Sequence, residues 1–256
     1  MFLCILLFSF CKASYGFDIS GLQPIAPYGV FSTFSADSLL KGKIAVSPGA
    51  EISKEPDFYR FLLKTAYGIT NNIELEMTVP YIYNWANSVD GFEDVAFGLK
   101  HRFFEEGKYG PSIAYMLNAS LPSGRDDFST DGRFGAGLIL SKRVGPVNGH
   151  VNLFYEKPGT GKLEDEISFV TGLDFAAAHN FKILAELLCK KSHFSKEIDQ
   201  VEGRIGYRIK TTDIIYTTVG AGFDFKKRNP EYRIIFSISF VPPPKKKKIK
   251  KIYEEE

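Results

Sequence analysis

The chain has 256 residues, with 32 Lys and Arg against 30 Asp and Glu for a formal net charge of +2, and much of its positive charge sits in the final tail. Aromatics make up 14% of it, with 23 Phe and 13 Tyr against 1 Trp. A mean hydropathy of −0.10 excludes a bundle of membrane helices but not a membrane barrel, because half of every barrel strand is polar.

Residues 2–11 (F-L-C-I-L-L-F-S-F-C) are nearly all apolar, and Ser14-Tyr15-Gly16 follows with small residues at cleavage-type positions. This pattern predicts a secretory signal peptide over residues 1–16, without a positive leading region and too short to cross a bilayer. Cys11 does not read as a lipoprotein cysteine, since Phe8 and Phe10 stand where small residues are wanted. Two of the three cysteines leave with the signal and Cys189 stands alone, so no disulfide framework is expected. No later stretch reaches the roughly 18 apolar residues of a membrane helix. Export leaves the periplasm, the outer membrane or the medium, and excludes nucleic acid as a partner.

Residues 17–41, with Pro24, Pro27 and scattered aromatics, precede the first strand. They suit either a plug folded into a barrel or a lead-in on the periplasmic side, and the lead-in is the expectation. From residue 42 to 241 the chain resolves into alternating runs, about twelve of them, an even number of the kind bacterial single-chain barrels use. They cover residues 43–53, 58–69, 73–83, 91–104, 111–121, 133–141, 150–156, 166–175, 181–190, 201–209, 214–225 and 231–240. In the third, Ile73, Leu75, Met77, Val79 and Tyr81 alternate with Glu74, Glu76, Thr78 and Pro80. In the last, Tyr232, Ile234, Phe236, Ile238 and Phe240 face one way and Arg233, Ile235, Ser237 and Ser239 the other. A period of two is a β-strand, and a face this apolar must meet an extensive apolar medium.

The turns near residues 70–72, 105–110, 145–148, 178–180 and 210–213 are mostly short. Those near 85–90, 122–131, 158–162 and 191–196 are generally longer and more charged. Short periplasmic turns opposite longer outer loops are what a membrane barrel requires. The fold class expected is therefore all-β, an antiparallel transmembrane β-barrel of about 12 strands in the bacterial outer membrane. Its partners would be outer-membrane lipid and lipopolysaccharide, the barrel assembly machinery and a small-molecule solute. Tyr232, Ile234, Phe236, Ile238 and Phe240 are the candidate insertion signal, set inward from the C-terminus. Residues 242–256, Pro-rich and then Lys-rich, would form a charged, disordered periplasmic tail.

Several of these segments resemble a known family. Tyr67-Gly68-Ile69-Thr70-Asn71-Asn72-Ile73-Glu74-Leu75, followed by Val79-Pro80-Tyr81, is similar to one of its hairpins. Gly91-Phe92-Glu93-Asp94-Val95-Ala96-Phe97-Gly98-Leu99-Lys100 resembles its G-x-x-D-(V/L)-x-x-G-x-K strand, and Leu121-Pro122-Ser123-Gly124 its loop entrance. The family is the meta-pathway phenol-degradation group of outer-membrane barrels, described as transporters. The resemblance spans most of residues 24–241 and implies passage of small solutes, aromatic or apolar compounds among them.

The inward-facing charges are the candidate lumen lining: Arg60, Lys64, Glu74, Glu76, Asp94, Lys100, Arg102, Arg133, Glu202, Arg204, Arg208 and Arg233. They read either as a selectivity lining or as a salt-bridge network filling the lumen. Pro158-Gly159-Thr160-Gly161-Lys162-Leu163 lacks the hydroxyl residue and helix of a phosphate loop and reads as a hairpin loop. Asp126, Asp127 and Asp131 read as a solvated loop rather than a calcium site. None of His101, His150, His179 and His193 has a serine and an acid at evident register, so no catalytic group is assigned. No cofactor and no metal site are expected, and the oligomeric state stays open. The function expected is passive passage of small solutes; the alternatives are a structural or adhesion barrel with a filled lumen and an outer-membrane lipid hydrolase.

Overall fold

A computed structural model describes residues 20–55, 57–85, 89–226 and 232–243; the expected signal peptide and almost all of the expected tail lie outside them. The strands are β1 (Ile44–Lys54), β2 (Phe58–Gly68), β3 (Ile73–Trp85), β4 (Val89–Phe92), β5 (Ala96–Phe104), β6 (Ser112–Ser120) and β7 (Arg133–Val144). They continue with β8 (Val147–Pro158), β9 (Glu166–Ala178), β10 (Phe181–Lys191), β11 (Gln200–Lys210), β12 (Ile215–Asp224) and β13 (Tyr232–Phe240). Neighbours pair antiparallel in chain order, and β1 pairs with β13 to close the ring. β4 and β5 both lie along β3 as two pieces of one stave, interrupted at residues 93–95. The molecule is thus a closed antiparallel β-barrel of twelve staves, the fold class expected from the sequence.

β2 shows why this sequence makes this wall. Phe58, Arg60, Leu62, Lys64 and Ala66 turn inward and are buried, while Tyr59, Phe61, Leu63 and Tyr67 turn outward and are exposed. The same alternation leaves Leu75, Phe97, Leu117, Leu138, Leu153, Phe169, Leu187, Ile205 and Phe236 on the outer surface. Each such side chain gains about 1.5–3 kcal/mol on leaving water. A handful of them therefore matches the ~5–15 kcal/mol net stability of a whole domain, so this belt requires lipid around it. On β13, Tyr232, Ile234, Phe236 and Phe240 are exposed on that belt and Ile238 is half-buried.

The ends of the barrel differ. At one end lie the start of β1, the end of β13 and the turns 69–72, 105–111, 145–146, 179–180 and 211–214. The tightest joins Val144 to Val147 through Gly145, whose φ of 59° suits the first central position of a two-residue hairpin turn. The other end carries the loops 121–132, 159–165 and 192–199. Short turns at the first end and longer loops at the other are the pattern of the periplasmic and outer ends of such barrels, and the two ends are named accordingly.

Residues 20–41 run inside the barrel rather than beneath it, so the expected periplasmic lead-in gives way to a strap through the lumen. Leu22 and Phe34 pack with the inward side chains Ala96, Ala114, Met116, Ile139 and Phe154. Val30 and Phe31 pack with Leu184 and Ile235, and Ile25 and Leu39 with Ala45, Ala66 and Val241. These wall positions are apolar although they face the lumen, and the strap removes both its own apolar side chains and theirs from water.

Candidate functional site: the charged lumen and its strap

A chain of buried charges rings the loop-side half of the lumen. Arg60 lies 2.6 Å from Glu93 and 3.0 Å from Glu51, and Arg233 lies 3.3 Å from both Glu51 and Glu202. Arg204 continues it, 2.7 Å from Glu202 and 3.1 Å from Glu186. Signs alternate from Glu93 to Glu186, so each charge has an opposite neighbour in a place where bare charges are costly.

Both ends of this chain grip the strap. Glu93 accepts the Ser20 amide at 2.9 Å. Glu186 accepts the amides of Phe31, Ser32 and Thr33 and the Thr33 hydroxyl at 2.7–3.1 Å. Other lumen groups do the same. Arg208 donates to the carbonyls of Gly29 and Val30 and to the Thr218 hydroxyl. Asn152 exchanges two hydrogen bonds with the backbone of Phe34, and Glu74 accepts the Leu39 amide. The strap holds one isolated bridge of its own, between Gly29 and Phe34, and its backbone is satisfied partly by its own turns and partly by side chains of the wall.

The remaining candidates fall in separate places. Lys100 lies 2.5 Å from Glu74 and 3.3 Å from Glu76. Arg133 pairs with Glu156 at 3.0 Å. Asp94 buckles the loop 121–132 by accepting the Gly124 and Thr130 amides and the Ser129 and Thr130 hydroxyls. Arg102 sits at the periplasmic rim with Asp37, Asn72 and Glu105. Lys64 is buried and makes no ion pair among the described residues.

Glu51, Glu93, Glu156, Glu166, Glu186, Lys190 and Asp174 also turn inward, beyond the candidates expected from the sequence. Glu186 was within reach of the parity rule, since it shares a face with Leu184 and Leu188 on β10. The histidines also differ from expectation, because one of them does meet a serine and an acid. Ser141 Oγ lies 2.8 Å from His150 Nδ1, and His150 Nε2 lies 3.6 Å from Asp174 Oδ2. Ser141 and His150 face each other across β7 and β8, a register no single run displays.

The strap separates two cavities. The loop-side one, of 70 Å³, is walled by Arg60, Arg133, Arg204 and Arg233 together with Leu22, Phe34, Phe154 and Leu188. The periplasmic one, of 290 Å³, is walled by Tyr28, Arg143, Lys182, Arg208, Lys210 and Tyr216.

No protein-family model matches the sequence, and no curated protein matches it. Solved structures do match. The KdgM porin is 10% identical over 77% of this chain and 98% of its own, with a TM-score of 0.58. An outer membrane channel from Pseudomonas putida F1 is 12% identical over 80% and 97%, with a TM-score of 0.57. The NanC porin is 11% identical over 78% and 100%, with a TM-score of 0.56. At these identities the likeness is one of fold. This chain has the fold of the outer-membrane β-barrel channels.

Proposed function

We propose that this protein is a bacterial outer-membrane channel for small organic anions, passing down their gradient through a lumen that the strap narrows. The observation that carries the reading is the loop-side cavity, where four arginines and Lys190 outnumber Glu51, Glu156 and Glu166 and meet the apolar walls of Leu22, Phe34, Phe154 and Leu188. Guanidinium groups suit a carboxylate, and the rings and aliphatic walls suit an apolar body, so an aromatic acid answers both. The KdgM porin has also been solved in complex with disordered oligogalacturonate, itself a carboxylate-bearing solute. The resemblance to the phenol-degradation group agrees with an aromatic solute.

Reversal potentials across a planar bilayer holding the refolded protein test this. Anion preference is expected, with benzoate carried better than benzyl alcohol, and Arg204→Gln should reduce the difference. Cation preference overturns the anion reading, and a folded barrel that conducts nothing with or without the strap favours the structural barrel. The alignment of Ser141, His150 and Asp174 supports a second reading, a lipid or ester hydrolase. Against it, Ser141 is 4% exposed, its oxygen accepts the Ala36 amide, and Lys182 engages Asp174 at 2.7 Å. The trio fits better as another anchor of the strap, and ester hydrolysis lost in Ser141→Ala would restore the hydrolase.

A further inference from the structure

We propose that Glu156, Glu166 and His193 form a binding site for one divalent transition-metal cation, Zn²⁺ being the probe of choice, at the loop-side mouth of the lumen. Glu156 lies two residues before the end of β8 and Glu166 begins β9, and the two stand directly opposite each other in the sheet. Like charges facing across a strand pair repel, so this pair is held together by cations, and Arg133 and Lys190 already stand beside it. His193 enters from the loop after β10. One ligand atom from each residue lies within 4.8 Å of the others.

The three atoms share a second property. Glu156 Oε2, Glu166 Oε2 and His193 Nε2 are all buried and make no hydrogen bond of normal geometry, the two carboxylate oxygens having only the ion pairs to Arg133 and Lys190. His193 is 2% exposed, and its Nδ1 lies 2.9 Å from the Glu164 carbonyl. A carbonyl only accepts, so Nδ1 carries the proton and Nε2 presents a lone pair. That lone pair faces the Glu166 carboxylate oxygen at 3.3 Å. Two acceptors in this geometry repel unless a cation stands between or beside them; the Lys190 ammonium stands beside the Glu166 oxygen, and a proton or a metal ion would stand between the two.

An imidazole fixed through its other nitrogen by a backbone carbonyl is the usual setting of a metal-ligating histidine. One nitrogen and two carboxylate oxygens suit Zn²⁺ or its neighbours in the transition series, with water in the remaining position, and are too few for Ca²⁺. Glu156 and Glu166 also wall the loop-side cavity, which gives an ion its route in. Two resident cations compete with it. Arg133 Nη1 lies 3.0 Å from Glu156 Oε2, and Lys190 Nζ lies 3.0 Å from Glu166 Oε2. Zn²⁺ would displace the Lys190 ammonium from Glu166.

Calorimetric titration of Zn²⁺ into the refolded barrel tests the site, with heat-modifiable gel mobility confirming that each variant folds. One ion per chain is expected. His193→Ala and Glu166→Gln should each weaken binding by at least about tenfold, the smallest loss usual even for a supporting partner of a metal ligand. His179→Ala, at the periplasmic mouth, should leave it unchanged. Lys190→Met should tighten binding by removing the competitor, which a purely structural cluster would not do. Co²⁺ should give a visible absorption band that disappears in His193→Ala. No Zn²⁺ binding by the folded wild type, or binding equal in His193→Ala, overturns the proposal. The test reads neither conductance nor solute, so it stands apart from the channel reading.

Discussion

Glu186 carries four donors from the strap and the Arg204 guanidinium on one carboxylate. Removing one partner from a buried pair leaves an uncompensated charge, at a cost of about 3–5 kcal/mol. Glu186→Ala should therefore lower the unfolding transition of the barrel markedly, read as the temperature at which its folded gel band disappears. Arg125→Ala, which breaks an exposed pair with Asp127, should cost no more than ~0–1 kcal/mol and leave that temperature nearly unchanged. At this scale the sequence tells which way a side chain points, because parity alone sets the face: Arg60, Lys100, Arg204 and Arg233 could all be turned inward on paper. It does not tell what they meet. The partners of Arg60 come from β1 and from the break after β4, and only the closed register brings them together.

The strap and the wall are fitted to each other at the level of elements. Gly206 on β11 and Gly220 on β12 are cross-strand partners, and a Cβ at either would meet the Phe31 ring, at 2.9 Å and 2.3 Å. Gly220→Val should displace Phe31, free the strap from that part of the wall and raise single-channel conductance severalfold, while the barrel keeps its gel shift. Unchanged conductance would mean that the strap does not limit flow. The interruption between β4 and β5 has a similar logic. Glu93 and Asp94 are consecutive and both buried, which an unbroken strand forbids. The sequence run 91–104 reads as continuous because each half alternates properly by itself. Asp94→Asn should loosen the loop 121–132, and trypsin should cut at Arg125 faster than in the wild type.

For the whole molecule, the twofold period was legible because lipid imposes it on every stave, and twelve runs became twelve staves with their order intact. The strap was not legible. Leu22, Ile25, Phe31, Phe34 and Leu39 follow no period, since each is placed by a different patch of wall rather than by a repeating backbone. The outer belt carries its own prediction. Leu63→Arg should cost about 2–4 kcal/mol if the residue lies near the bilayer midplane. The refolded yield into lipid vesicles should fall accordingly, with little change for Lys162→Ala in a loop.

One consequence concerns the order of assembly. The first described residue, Ser20, is held by Glu93 toward the loop end, whereas Lys41 is held by Asn71 at the periplasmic base. The barrel is therefore a ring threaded by its own leader, and the β1–β13 seam closes around chain that comes before β1. If the seam closes first, the leader must pass through a finished ring, and a small folded protein fused ahead of Ser20 would stop it. If the leader is laid in first, the same cargo would end up on the loop side, within reach of an impermeant label applied from outside the vesicle.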